Sequence, residues 1–519
     1  MPPMTQGVRS WREAVQSFAH PRVITLLFLG FSAGIPILLI FSSLSLWLRE
    51  AGTDRSAVTF FSWAALAYSF KFVWAPLVDR LPIPYLSRSL GRRRSWLLLA
   101  QISIIAAILW MAMIDPAKDP WNLTVMALAA IFLGFSSATQ DIVIDAYRIE
   151  SAGRDLQAMM SSSYIAGYRV GMIVAGAGAL FLASYFGTEK GAYSYVAWRS
   201  TYLVMALTML IGVVTTLIID EPERNGFTSI DYSVADYCRF LILFFMAVAG
   251  FIGVFFFTTD IVQGLKTSGT NQFVHNHLVG FIIEACRLFI ALLVAIIIGG
   301  FAFRFGLANR VMIRESYIAP LSDFFGRYGM KLSILLLALI GFYRISDIVL
   351  GVISNVFYQD IGFSKNEIAG VVKTFGLLMT IAGGFLGGLL SARYGVMRIL
   401  FMGAVLTVLT NLLFMYQAYV GNDLTVLYIV ISADNLSAGI ASAAFVAFLS
   451  SLTSVSFTAV QYAIFSSLMT LIPKLLGGYS GTMVESIGYS NFFLVASLMG
   501  LPVLILVWLA GKHFVPPDQ

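Results

Sequence analysis

The chain has 519 residues, of which 59% are hydrophobic and 12% charged, and its mean hydropathy is +0.84. Soluble domains carry about 25% charged residues, so this composition excludes a large soluble core and describes an integral membrane protein. The formal charge of +6 comes with no basic, aromatic-interleaved helix and no nucleotide-binding loop, so nucleic acid is not an expected partner; the lysines and arginines read as topology signals in cytoplasmic loops.

Residues 1–21 are polar and form a cytoplasmic segment with Arg9 and Arg12 ahead of the first apolar run. That run is too long for a signal-peptide core and has no small-residue cleavage site, so it reads as a membrane helix. A span needs about 20 apolar residues. Candidates fall at about 22–48, 57–79, 95–114, 122–146, 158–186 and 196–219. A pair follows at 238–257 and 278–303, then six more at 332–357, 367–391, 398–418, 424–448, 459–478 and 491–510. With the N-terminus inside, twenty of the 33 basic residues fall on the cytoplasmic side, seven outside and six within spans. This asymmetry fits an even number of spans, about fourteen, with both termini cytoplasmic. The expected fold is all-α: a six-helix bundle over 22–231, an inserted helix pair over 232–312 and a second six-helix bundle over 332–510. A linker helix spans 313–331, and 511–519 form a cytoplasmic tail. In the linker, Leu321, Phe324, Phe325 and Tyr328 recur at helical spacing, which predicts an amphipathic helix at the membrane interface.

The two sets of six share weak internal similarity. "LVDRLPIPYLSRSLGRRR" and "LLSARYGVMR" are basic loops at the same place in each half. "GFSSATQDIVIDAYRIESAGRDLQAMMSSS" parallels "GIASAAFVAFLSSLTSVSFTAVQYAIFSSL", each with a glutamine (Gln157, Gln461) opening the next helix. Parallel six-helix halves are the architecture of the major facilitator superfamily. Glycines at 167, 171, 176, 178, 383, 384, 387 and 388 sit at spacings that let helix backbones approach closely.

Several motifs, "LGFSAGIPILL", "AYSFKFVWAPLVDR", "GRRRSWLL", "SSATQDIVIDA" and "GYRVGM" in the first half, resemble the AmpG muropeptide permeases. "APLSDFFGR", "FYRISD", "VVKTFGLL", "SAAFVAFLSSLT" and "FTAVQYAIFSSL" agree in the second. The likeness covers nearly all the chain except about 232–312. It implies an inner-membrane, proton-driven importer of GlcNAc-1,6-anhydroMurNAc, with or without a stem peptide, for cell-wall recycling and β-lactamase induction. Its partners would be that small molecule, protons and the bilayer, and it would act as a monomer without cofactor or metal. The sequence departs from the family pattern in two ways. Arg344 stands where family members carry lysine, and the extra helix pair lies between the halves rather than at the C-terminus.

Charged groups within spans are expensive and mark function or ion pairing. Arg169 and Arg344 fall near mid-membrane in opposite halves, and the muropeptide reading makes them a clamp for substrate carboxylates, with Lys71 and Lys373 assisting or gating; helix-to-helix ion pairing is the competing reading. Gln140 is expected to hydrogen-bond substrate, and Asp141 or Asp347 to carry the coupling proton. Asp145 reads as a helix-end charge beside Arg148. Asp79, Arg80, Arg92, Arg93 and Arg94 form a cytoplasmic gate or a topology anchor. Glu284 and Arg287, three apart on one helix, are expected to neutralise each other. His275, Asn276 and His277 lack the further ligands a metal site needs, and Cys238 and Cys286 suggest no disulfide framework. Two aspartates on one helix do not make an aspartyl-protease dyad, which argues against an intramembrane enzyme. A structural scaffold leaves six basic residues in spans unexplained. A related transporter of another anionic solute, such as acetyl-CoA, remains the alternative.

Overall fold

The computed structural model describes residues 11–53, 66–188, 192–222, 233–267, 277–306, 309–364, 367–477 and 480–514. The first half contains α1 (Pro21–Glu50), α2 (66–80), α3 (Arg92–Ala112), α4 (Pro120–Ser151), α5 (Asp155–Tyr185) and α6 (Tyr195–Ile218). The inserted pair is α7 (Val234–Thr267) and α8 (His277–Arg304). A linker, α9 (310–328), turns at Gly329 (φ 70°) into α10 (330–360). The second half continues with α11 (Ile368–Tyr394), α12 (Val396–Val420), α13 (Leu424–Leu452), α14 (Thr458–Gly477) and α15 (Ser480–His513). Among the described residues, twelve stretches are long and apolar enough to cross a membrane. They leave out α2, which is described only from Leu66, and α8, where the apolar run is Phe289–Ala302. Counting these two gives the expected fourteen.

Local chemistry sets the helix ends. Asp119 accepts a hydrogen bond from Trp121 N at 2.8 Å, with Pro120 as the first helical residue of α4. Asp423 caps α13 through Thr425 N and Val426 N. The Glu221 carboxylate, arriving from beyond α6, accepts from the backbone N–H groups of Arg93 and Arg94 at 2.8 and 3.0 Å and so caps α3. Gly91 precedes that cap at φ 85°, and a Cβ there would stand 2.4 Å from the Glu221 side chain.

Two seams bring backbones together. A Cβ on Gly167 of α5 would lie 1.9 Å from Leu27 O of α1, and one on Gly34 would lie 2.0 Å from Tyr168 O. In the second half, a Cβ on Gly383 of α11 would lie 2.1 Å from Leu436 O of α13. Only glycine permits these crossings.

Charged residues coincide with breaks in the helices. Pro76 lacks an N–H and crowds the carbonyl four residues earlier, and the preceding turn, Lys71–Val73, is a 3₁₀ segment. Helix α10 breaks at Tyr343 and Arg344. Lys373 lies in the π-helical opening of α11, Ile368–Phe375, and Arg169 shortly precedes a π-helical turn, Val174–Gly178, in α5. Irregular backbone at membrane depth is tolerated where it is buried in protein or lines a cavity.

The inserted pair packs mainly on itself, reaching the rest through Phe240 against Tyr317 (ring centroids 6.0 Å) and Phe251 against Phe70 (5.8 Å). Arg287 donates to the hydroxyls of Thr258 and Thr259 on α7, whereas the sequence pointed to Glu284, whose side chain lies outside what is described. On the linker, Phe324 is buried, 5.1 Å from the Phe465 ring of α14, while Leu321 of the same apolar set is exposed. Polar bonds hold the linker to both halves. Tyr317 donates to Val73 O and Arg80 pairs with Glu315, while Arg327 donates to Leu452 O and to the Gln461 side chain.

Candidate functional site

The halves meet at the end that carries the basic loops. Arg93, 1% exposed, donates to Asp79 Oδ1 (2.7 Å), to both Glu150 oxygens and to Thr458 Oγ1 of α14 (2.9 Å). Thr458 donates to Glu150 in turn. Asp79 Oδ2 accepts from Val460 N at 3.0 Å, placing one carboxylate of α2 on the first turn of α14. Arg92 donates to Asp79 O and lies 3.9 Å from Glu150. Arg80 stacks over Phe457 and pairs with Glu315 of the linker. Arg94 serves otherwise, donating to Thr216 O and Leu217 O at the end of α6, within its own half. Nearby, α5 and α11 cross so closely that a Cβ on Gly388 would meet Ser162.

Deeper in the first half lies a polar layer between α2, α4 and α5. Lys71 is buried at 6% exposure, with its ammonium 3.4 Å from Asp145 Oδ2. Arg148 reaches Asp145 Oδ1 at 3.2 Å, donates to Ser161 at 2.7 Å and stacks on Tyr462 of the other half at 5.1 Å. Asp145 is therefore not the helix-end charge expected: α4 continues to Ser151, and this carboxylate is 6% exposed between two cations. Lys71 belongs to that ion pair rather than to an open chamber. Asp141 lies beside the Tyr164 hydroxyl, and its Oδ1 is buried without a hydrogen-bond partner. Gln140 is fully buried; its Oε1 accepts from Ser32 at 3.1 Å, and its Nε2 has no partner. Tyr68 donates to Ser137 at 2.7 Å, and Trp74 Nε1 to Thr139 at 3.1 Å.

The second half holds a more open cluster. Arg344 is bonded to Asp347 on the following turn, and both side chains keep about a quarter of their surface exposed, at 26% and 24%. Half-buried Asp434 of α13 accepts from Thr410 Oγ1 at 3.3 Å and lies within electrostatic range of Asp347 and Arg344. Arg169, on α5 of the first half, lies within range of the same Arg344 and Asp347. Arg169, Arg344 and Asp347 thus lie within electrostatic range across the halves, and Asp434 lies within range of the last two. Lys373 is exposed on the π-helical turn of α11. Glu150, Thr458 and Asp434 were not singled out from the sequence. The last had a usable signal, a lone acid inside the apolar run "LYIVISADNLSAG". His275 and Asn276 lie outside the described residues.

Two helical halves in one membrane-spanning chain, joined at one end by ion-paired helix termini and carrying charges at mid-depth, have the layout of a transporter. Residues 23–343 match the Major Facilitator Superfamily, and the chain belongs to that superfamily. Among curated proteins it is 28% identical to the Putative transporter AmpG 4 of Rickettsia conorii, over 95% of this chain and 98% of that protein. It is also 28% identical to the Anhydromuropeptide permease of Escherichia coli K12, over 94% of this chain and 80% of that one. The likeness to AmpG proteins read in the sequence therefore extends over most of the chain. Among solved structures, the proton:xylose symporter XylE superposes with a TM-score of 0.58 over 96% of both chains at 12% identity. FucP of the same superfamily, in its outward conformation, gives 0.58 over 95% of this chain and 99% of that one, at 10% identity. At such identities these two structures bear on the fold alone.

Proposed function

We propose that this transporter imports anhydromuropeptides, GlcNAc-1,6-anhydroMurNAc with or without a stem peptide, from periplasm to cytoplasm, driven by protons. The basic end is then cytoplasmic with both termini on it, in a bacterial inner membrane, and the closed Asp79–Arg93–Glu150–Thr458 junction makes the present state outward-facing. The substrate serves cell-wall recycling and, where a β-lactamase is inducible, its induction. The names of full-length relatives support the substrate class. The observation that carries the reading is the pair of guanidinium groups, Arg169 and Arg344, in electrostatic range of each other from opposite halves.

Like charges at close range are unfavourable unless carboxylates balance them. Asp347 balances Arg344 in part, and a substrate carboxylate arriving between the two arginines completes the balance with bidentate hydrogen bonds. Arg169 lies 15 residues beyond Arg154, about 22 Å along α5 at 1.5 Å per residue, deep enough for a site reached alternately from either side. The orphaned Gln140 Nε2 and Asp141 Oδ1 suit sugar hydroxyls and amides, since a buried polar atom without a partner costs about 1–3 kcal/mol.

Uptake of labelled anhydromuropeptide into proteoliposomes under an imposed pH gradient tests the reading. Wild type is expected to accumulate it, unchanged chemically. Arg169→Gln and Arg344→Gln are expected to weaken the peptide-bearing substrate more than the bare disaccharide. Equal loss for both substrates would make the arginines structural, and transport of acetyl-CoA in place of muropeptide would move the substrate class.

A further inference from the structure

The intramembrane charges of the first half balance among themselves. Lys71 and Arg148 stand against Asp145, with Asp141 on the same face one turn away and within electrostatic range of Lys71. The cluster of the second half does not balance. Arg344 faces two carboxylates, Asp347 and Asp434. The cation that makes up the difference, Arg169, belongs to the other half and approaches from α5.

From this asymmetry, and resting on the proposed proton-driven import, we infer that Asp434 is the group that takes up the transported proton, and that Arg169 is the counter-charge that decides when. Asp347 is poorly suited to the task, because Arg344 is bonded to it three residues away in the same helix and moves with it. Asp434 has no such fixed cation. Its one hydrogen bond given by the structure is from the neutral Thr410 hydroxyl of α12, and it is half-buried, so water can reach it. The titratable groups in its range are Asp347 and Tyr358 of α10 and Arg344 at the α10 break; Arg169 of α5 joins the cluster through Arg344 and Asp347, and Lys373 lies on the π-helical turn of α11, which packs against α13.

Without substrate, Arg169 and Arg344 together balance Asp347 and ionised Asp434. When a substrate carboxylate binds the two arginines, one negative charge is in excess. The excess is relieved at Asp434, where a carboxylate oxygen takes a proton from water on the outward side. The cluster returns to neutrality with one carboxylate and one proton added, the condition under which the halves can rock over a low-dielectric site. On the inward side substrate leaves, Arg169 again faces the second-half carboxylates, and the proton returns to water. No bond other than O–H forms or breaks.

Proton uptake on addition of anhydromuropeptide to purified transporter in weak buffer, together with proteoliposome assays, tests this. Wild type is expected to take up protons on binding. Asp434→Asn is expected to bind and exchange muropeptide across the membrane while taking up no proton and reaching only passive equilibration under a pH gradient. Asp434→Asn that accumulates substrate like wild type overturns the inference while leaving the import reading intact. Wild type that neither exchanges nor accumulates muropeptide overturns both. Should the Asn variant fail to insert, Thr410→Val decides. Losing a hydrogen bond to the ionised carboxylate favours its protonated form, so the pH profile of accumulation is expected to move to higher pH, and an unmoved profile counts against Asp434.

Discussion

The seam between α2 and α4 in the first half and that between α11 and α13 in the second occupy matching places in a repeated architecture, yet they are built from different materials. The first is polar: Tyr68 to Ser137, Trp74 to Thr139 and Lys71 to Asp145 cross it. The second is mainly backbone against glycine, with Gly383 and Gly439 each leaving about 2 Å where a Cβ would meet a carbonyl oxygen, and a hydrogen bond from Thr380 to Asn435 crosses it at 2.9 Å. The two glutamines at corresponding helix starts diverge in the same way. Gln157 donates to the carbonyls of Arg148 and Ala152 and closes the end of α4. Gln461 accepts from Ser454 N and binds the linker through Pro320 O and Asp323. A duplicated scaffold constrains where helices cross but leaves open what holds the crossing, so the α2–α4 seam became a set of paired polar side chains and the α11–α13 seam a close-packed wedge.

This contrast can be broken experimentally. The largest effect is expected from Asp145→Ala, which strands Lys71 and Arg148 without their shared carboxylate; removing one partner of a buried pair costs about 3–5 kcal/mol. The Lys71→Met/Asp145→Asn double variant should recover the part of that loss that belongs to Lys71, as read by thermal unfolding in detergent, because the interaction lies between side chains, while Arg148 keeps only the amide oxygen as an acceptor. Gly383→Ala should cost about 1–3 kcal/mol by overpacking, and truncating Leu436 to alanine should not rescue it, since the clash is with the Leu436 carbonyl. Rescue of the glycine variant, or none for the charge pair, would erase the distinction. The smallest effect belongs to the junction between the halves. Thr458→Val removes a hydroxyl bonded to both Arg93 and Glu150, worth about 0.5–1.5 kcal/mol, or up to roughly a tenfold shift toward opening at the basic end. Spin-label distances between positions 88 and 512 would register it; an unchanged distribution would show that Thr458 does not hold the halves closed.

Much of this was legible in the sequence because lipid imposes a simple grammar. Fourteen apolar runs, a one-sided excess of basic loops and intramembrane charges at Arg169, Arg344 and Asp141 follow from the cost of polar groups in hydrocarbon. The ion pair between Lys71 and Asp145 was not legible, because it needs two helices to converge 74 positions apart in sequence. The break at Lys71–Val73 has a local cause in Pro76, but the one at Arg344 has no proline nearby and is a product of tertiary context. The packing of the linker was not legible for a related reason. Its amphipathic spacing records that one face is apolar, and the same spacing serves whether that face meets lipid headgroups or the Phe465 ring.

The linker's doubled anchorage has a mechanical consequence. Tyr317 and Glu315 are fastened to α2, while Arg327 is fastened to α13 and α14. Between Tyr317 and Arg327 the helical chain spans about 15 Å, and a helix does not stretch without breaking its own hydrogen bonds. If the halves part at this end, the tether cannot pay out slack: one set of knots must slip. Whichever slips first determines with which half α9, and with it the inserted pair that meets Tyr317 through Phe240, is towed.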